Sequence, residues 1–202
     1  MNRAKISIAI IGEGETEWFY FDSLRRSKRY SFSIEPSLPQ HADIDHMMKL
    51  VRKAVFNEYD YVFCLLDMDR INSISKERER YNECIKDFAE TSVIFIESMP
   101  CIEFWFLLHF LEHYSTKPYL DCSSVIPELN KYFKGYEKTK NFFRRNSLYN
   151  ILSINGDIDR AKKYARKLTE RHELELDNKT FPYSEIYKIL DILDSLSENN
   201  DG

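Results

Sequence analysis

Two short apolar runs that each end in a cluster of carboxylates constrain this chain more than any other feature. Ile6 to Ile11 is followed by Glu13, Glu15 and Glu17, and Tyr61 to Leu66 is followed by Asp67 and Asp69. Runs of this kind, bounded by turn residues and followed by helix-like segments, read as strands of a parallel sheet buried on both faces. Parallel α/β sheets place their ligand sites beyond the carboxyl ends of the strands, so both clusters are expected on one edge. Carboxylates gathered there repel one another unless protons or cations neutralise them. An oxygen-only donor set suits Mg2+ or Mn2+ better than zinc. The pattern points to phosphoryl-transfer chemistry.

The first hundred residues alternate strand and helix. The reading is strand 5 to 11, helix 16 to 28, a weaker strand 31 to 36, helix 43 to 57, strand 60 to 66, helix 75 to 90 and strand 92 to 97. The two most apolar strands should be central and adjacent, which brings Glu13 to Asp67. Neighbouring strands lie about 4.8 Å apart, so carboxylates just past their ends can share one cation or bracket a pair about 4 Å apart. After Pro100 the alternation stops. Cys101 to Phe110 is nearly all apolar, and helices are expected near 123 to 133, 157 to 171 and 183 to 196. The expected organisation is an α/β core over 1–100 with a four-stranded, mainly parallel sheet flanked by helices. A helical C-terminal annex over 101–198 packs on it, and 199–202 form a polar tail. No repeat or Gly/Ser-rich spacer separates the halves, so a shared core is expected.

Composition narrows the class. With 202 residues, 43% of them hydrophobic and 14% aromatic, the chain can bury a sizeable core. No apolar stretch reaches membrane-spanning length and no cleavable leader precedes the first strand, so a cytoplasmic protein without membrane contact is expected. Cys64, Cys84, Cys101 and Cys122 lack metal-ligand spacing and read as reduced core residues. A formal net charge of -4 argues against a general DNA-coating protein. Basic residues nevertheless cluster at Arg25 to Arg29, at Lys131, Lys134, Lys138, Lys140, Arg144 and Arg145, and from Arg160 to Arg171. They are either a nucleic-acid path or solvated helix faces.

In Gly12-Glu13-Gly14-Glu15-Thr16-Glu17 the glycines allow a tight turn, while Thr16 and Glu17 suit a helix start. Capping does not account for Glu13, which directly follows a buried strand. Asp67-Met68-Asp69 can aim two carboxylates at one cation while Met68 turns back to the core. Together these segments resemble the Toprim domain of topoisomerases, primases and OLD-type nucleases, in which a Glu after the first strand and a D-x-D after the third bind catalytic divalent metal. Further residues narrow the resemblance. Glu13-Gly14-x-Thr16-Glu17 with Tyr20-Phe21, Asp67-x-Asp69, the run from Ser98 to Phe110 (S-x-P-C-x-E-x-W-x-L-L-H-F) and Tyr136-Glu137-Lys138 look like the successive motifs of the RloB-like family. That family comprises small Toprim-type proteins of bacterial restriction-modification and anti-phage loci, often beside an ATPase. Trp18 stands where such chains often have proline, and Met68 where they often have arginine.

The resemblance implies a metal-dependent nuclease in which Glu13, Asp67 and Asp69 hold Mg2+ or Mn2+. Glu17 completes the shell or acts as general base, and Lys138 stabilises charge on the scissile phosphate. Glu103, a lone carboxylate in an apolar stretch, is either a further metal ligand or a group satisfied at a helix start. Glu97 is a lesser candidate on the same edge. The expected partners are DNA or RNA, bound along the basic stretch from Lys131 to Arg145, and an ATPase of the defence system, with a homo-oligomer left open. Arg25 and Arg26 are expected to matter less, because the outer face of the first helix should point away from the strand ends. The alternative is a non-catalytic module that binds nucleic acid or an ATPase. His109-Phe110-Leu111-Glu112-His113 matches the H-x-x-E-H zinc-protease pattern but lacks an evident third ligand, and His41 and His46 with Asp43 and Asp45 read better as a helix start.

Overall fold

The computed structural model describes residues 6–35, 43–174 and 179–198. The sheet has five strands, in the order β2-β1-β3-β4-β5. The strands are β1 (Ile8–Ile11), β2 (Ser33–Glu35), β3 (Tyr61–Asp67), β4 (Val93–Met99) and β5 (Tyr183–Ser184). The first four are mutually parallel, and β5 runs antiparallel to β4 through Ser98 opposite Ser184 and Met99 opposite Tyr183. The four-stranded expectation is therefore corrected to a mixed five-stranded sheet. Its last strand comes from the far end of the chain, at the start of a segment read as helix.

β1 and β3 are central because they are the most apolar. All four residues of β1 are buried, as are Val62 to Leu66. Their register sets Ile11 opposite Cys64. The loop after β1 and the last turn of β3 therefore emerge side by side, at the strand ends where the sequence expects its site.

Helices follow each strand: α1 (Glu15–Lys28), α2 (Ile44–Phe56), α3 (Met68–Ser73) and α4 (Ser75–Asp87). α1 buries Tyr20, Phe21 and Leu24, and α2 buries Met47, Met48, Val51 and Ala54 at helical spacing. Asp43 caps α2 by accepting the His46 N–H at 2.8 Å, and His46 itself is exposed. That is the helix start expected there; His41 lies outside the described residues. α3 begins directly at Met68, so Asp67-Met68-Asp69 is the first turn of a helix.

Past Pro100 come α5 (Ile102–Leu108), α6 (Cys122–Tyr132), α7 (Lys140–Arg145), α8 (Leu148–Asn155), α9 (Ile158–Leu174) and α10 (Ile186–Glu198). Every residue of α5 is buried, as suits a helix that is apolar on all sides but for Glu103. Its Trp105 indole N–H donates to the Tyr20 hydroxyl at 2.9 Å, which joins α5 to α1. A continuous core runs from β1 and β3 through α5 to Leu168 of α9 and Leu190 of α10. Among the described residues no helix is long and apolar enough to cross a membrane.

The cysteine expectation is corrected for one pair. Cys64 and Cys84 are free and buried, whereas Cys101 and Cys122 form a disulfide across Cα atoms 5.5 Å apart. The cause is tertiary: α5 and α6 pack side by side and bring together the N-cap residue of one and the first residue of the other. A sequence separation of 21 carries no sign of this.

Candidate metal centre

Gly12 brings the first carboxylates together. Its N–H donates to Glu35 O at 3.1 Å, and a side chain there would place Cβ 2.8 Å from Glu17 Cβ. Glu17 folds back over this turn and accepts the Gly14 N–H on Oε2 at 2.9 Å, half of a capping box on α1. Glu13 reaches across to β3, where its Oε2 accepts the Asp67 N–H at 3.3 Å. Asp67 in turn accepts the Ile102 N–H on Oδ1 at 3.1 Å, so it serves the start of α5 and not that of α3.

Asp69 accepts the Arg70 N–H at 2.6 Å on Oδ1 and the Cys122 N–H at 3.1 Å on Oδ2. Glu13 and Asp67 line a recess of about 10 Å³, roughly the room of one water or ion, with Asp43, Arg70 and Glu77 around it. Arg70 pairs with Glu77 at 2.6 Å. The sequence reading missed Arg70 and Glu77, although the position of Arg70 directly after Asp69 was a usable signal.

These carboxylates perturb one another. Burial, then Glu17, pushes the Glu13 carboxyl up to about 7. Burial, then Glu17, Glu13 and Glu103, raises Asp67 well above the carboxylate range. Burial raises Glu17 as well, against the pull of Lys138. Negative charge here is thus under-compensated, the condition that a cation relieves.

The donor set fits a hard cation. Glu13 and Asp67 each keep one carboxylate oxygen outside the hydrogen bonds described, whereas both Asp69 oxygens already accept N–H groups. The three do not converge in the present side-chain arrangement. Among the described residues the group of three His, Cys, Asp or Glu side chains with donor atoms all within 4.8 Å of one another is Cys101, Glu103 and Cys122. There both sulfurs belong to the disulfide.

Glu103 is fully buried, with both oxygens engaged. Lys138 Nζ lies 3.0 Å from Oε1 and 3.2 Å from Oε2, and the Tyr136 hydroxyl donates to Oε1 at 2.9 Å. Cys122 Sγ sits 3.0 Å from Oε2, a contact without a proton because the sulfur is bonded to Cys101. The structure thus groups Glu103 with Lys138. Burial alone would lower the ammonium of Lys138, but Glu103, Asp67 and Glu17 outweigh it and keep it charged. Glu97 is closed off by the hydroxyls of Tyr81 and Tyr183.

The basic residues divide. Lys131 pairs with Glu128 at 2.8 Å on the surface of α6, and Lys134 is exposed. Lys140 pairs with Glu15 at 3.2 Å and so docks α7 beside the acidic turn. Arg144 and Arg145 are exposed and have no carboxylate partner among the described residues. Arg26, near the C-terminal end of α1, lines a cleft shared with both.

The zinc-protease pattern has no structural basis. α5 ends at Leu108, so His109 and His113 share no helical face. His109 is buried, is held down to about 4 by that burial, and donates from Nδ1 to Trp105 O at 2.9 Å, while Glu112 and His113 are exposed. Elemental analysis of purified protein should find no stoichiometric zinc; tightly held zinc lost on His113→Ala would overturn this.

No curated protein and no solved structure matches the chain. A family model described as "RloB-like protein" matches residues 8–193, nearly the whole length, which takes in both acidic segments and the Glu103–Lys138 pair. The chain belongs to the RloB-like family.

Proposed function

We propose that this protein is a divalent-metal-dependent nuclease of the Toprim type, working in bacterial defence with nucleic acid as substrate. The observation that carries the reading is the crowding of Glu13, Glu17 and Asp67 at the ends of β1 and β3, with carboxyl groups raised by burial and mutual repulsion. Glu13 and Asp67 would hold Mg2+ or Mn2+, with Asp69 joining once it releases a backbone N–H. A bound ion supplies Lewis-acid stabilisation of phosphoryl oxygens and an acidified water. Glu17, whose carboxyl is raised, is suited to take a proton from the attacking water. Lys138 stays protonated and offers positive charge to the phosphate. Glu103, held by the Tyr136 hydroxyl, positions Lys138, a role beside the two expected of it, further metal ligand or helix-start acceptor.

A second reading is favoured by one observation: each carboxylate at this edge already accepts a backbone N–H. On that reading the fold persists as a non-catalytic module that binds nucleic acid or an ATPase partner. The test is purified protein incubated with plasmid, single-stranded DNA and tRNA, in Mg2+, in Mn2+ and in EDTA, beside a direct Mn2+-binding measurement. Cleavage that requires the ion is the expected result. Binding of Mn2+ without cleavage, with or without an ATPase partner, selects the non-catalytic reading, and absence of Mn2+ binding removes the metal centre.

A further inference from the structure

A cleft of about 460 Å³ opens between the C-terminal half of α1 and the α7–α8 turn. Eight of its nine lining residues are polar, and none is acidic. Arg26 reaches it from α1, and Arg144 and Arg145 from the end of α7. The Arg26 side chain is 69% exposed and makes one contact to Asp22, a carboxylate also held by Arg25. Arg144 and Arg145 are unpaired among the described residues. Three arginines thus line one cleft on a chain of formal net charge -4.

Guanidinium forks match the paired oxygens of a phosphate, and their charge cannot be titrated away. α8 adds to the pull. Its N-cap Ser147 makes no side-chain cap, and the Tyr149 N–H is taken by Ser23 Oγ at 2.8 Å from α1. Ser147 and Asn150 at the start of α8 line the cleft, and the positive end of that helix favours an anion beside them. The aromatic ring in the lining, Phe143, is buried, so no face is offered for a nucleobase to stack on. The chemistry recognised is therefore backbone phosphate.

The cleft is also aligned with the acidic edge. α1 starts at Glu15 beside the carboxylates, and α7 starts at Lys140, which is paired to Glu15. At 1.5 Å per residue Arg26 lies about 16 Å along α1 from Glu15. That distance corresponds to roughly two to five nucleotides, from an extended strand to B-form rise.

We propose that the cleft between α1, α7 and α8 holds the phosphodiester backbone of a nucleic-acid strand whose neighbouring segment lies at the Glu13–Asp67 edge, with Arg26, Arg144 and Arg145 contacting its phosphates. This deepens the nuclease reading by naming the strand path, which keeps Arg144 and Arg145 of the basic stretch from Lys131 to Arg145 and adds Arg26 of α1. The location of the cut rests on that reading; the binding does not.

The experiment measures anisotropy of a labelled single-stranded 20-mer with full-length protein in EDTA, so that no cleavage intervenes, across a salt series. Arg26→Ala/Arg144→Ala/Arg145→Ala should weaken binding at least about 10-fold and flatten the salt slope by about 2, near 0.7 per lost phosphate contact. Replacing the same three with lysine should keep the slope and lose affinity a few-fold, since charge survives without the fork. If the triple alanine variant melts early, Arg144→Gln alone should still lose several-fold. Affinity and slope equal to wild type in these variants would overturn the proposal. AMP or inorganic phosphate bound tightly at these arginines, with strand affinity unchanged, would make this a small-anion pocket, and loss of only a protein partner would make it a docking face; either result sinks the strand path. An inactive wild type that binds the 20-mer through these arginines would remove the nuclease reading and leave the cleft standing.

Discussion

Asp67→Asn is expected to cut Mn2+-dependent cleavage by about 10³-fold or more while raising the melting temperature of the metal-free protein. The substitution removes a carboxylate that burial, Glu17 and Glu13 hold well above its ordinary range. Its amide oxygen can still accept the Ile102 N–H that starts α5. Asparagine is therefore the informative choice. Alanine would orphan that buried N–H at about 1–3 kcal/mol and confound loss of the ion with loss of the helix start. Glu13→Gln should behave alike, since it too preserves an acceptor for the Asp67 N–H. A quench assay with a labelled strand, run beside thermal melts, decides the matter: cleavage near the wild-type rate in either variant would mean that chemistry happens elsewhere, and a lower melting temperature would assign the carboxylate a purely structural role.

Both residues are legible in the sequence, for one physical reason. A strand buried on both faces leaves an uninterrupted apolar signature, so β1 and β3, and the acids directly after them, announce themselves. β5 could not be read this way, because it has two residues and exists through its ladder with Ser98 and Met99. α3 was hidden because Asp67, Met68 and Asp69 double as a helix start, and α7 is too short at six residues for a periodic pattern. The pairing of Glu103 with Lys138 spans 35 residues and depends on how α5 meets the segment after α6. A lone buried acid signalled that a partner must exist, but not which one. The direction of Arg26 is likewise tertiary: the charge stripe on α1 was legible, and only the seating of α8 against Ser23 reveals which side of that stripe opens onto a cleft.

The charge crowded at the strand ends should also set how the metal-free protein responds to pH. Glu13 stands at about 7 in the folded chain against 4.5 when exposed, so between these values the folded state keeps a proton that the unfolded state has lost. Stability then falls as pH rises through this window, by on the order of 3 kcal/mol for this group, and the loss is complete above pH 7. Asp67 and Glu17, also raised, push the same way. His109 opposes them. Held down to about 4 by burial, it leaves the unfolded state carrying the extra proton between pH 4 and 6.5, and so adds stability as pH rises there. His172, also lowered by burial, acts like His109, and Glu185, also raised by burial, acts like Glu13; the four raised carboxyls outnumber the two depressed imidazoles, which no longer contribute above pH 6.5. The melting temperature in EDTA should therefore drop from pH 5.5 to 8, and Glu13→Gln should recover roughly 6–12 °C at pH 8, at about 2–4 °C per kcal/mol for a chain of this size. Saturating Mn2+ should raise the wild type at pH 8 and have little effect at pH 5.5, where protons already occupy the site. Melts of wild type and Glu13→Gln, each with and without Mn2+, separate the contributions. A wild-type midpoint that climbs with pH in EDTA, or one indifferent to Mn2+ at pH 8, would show that these acids are neither buried together nor available to a cation.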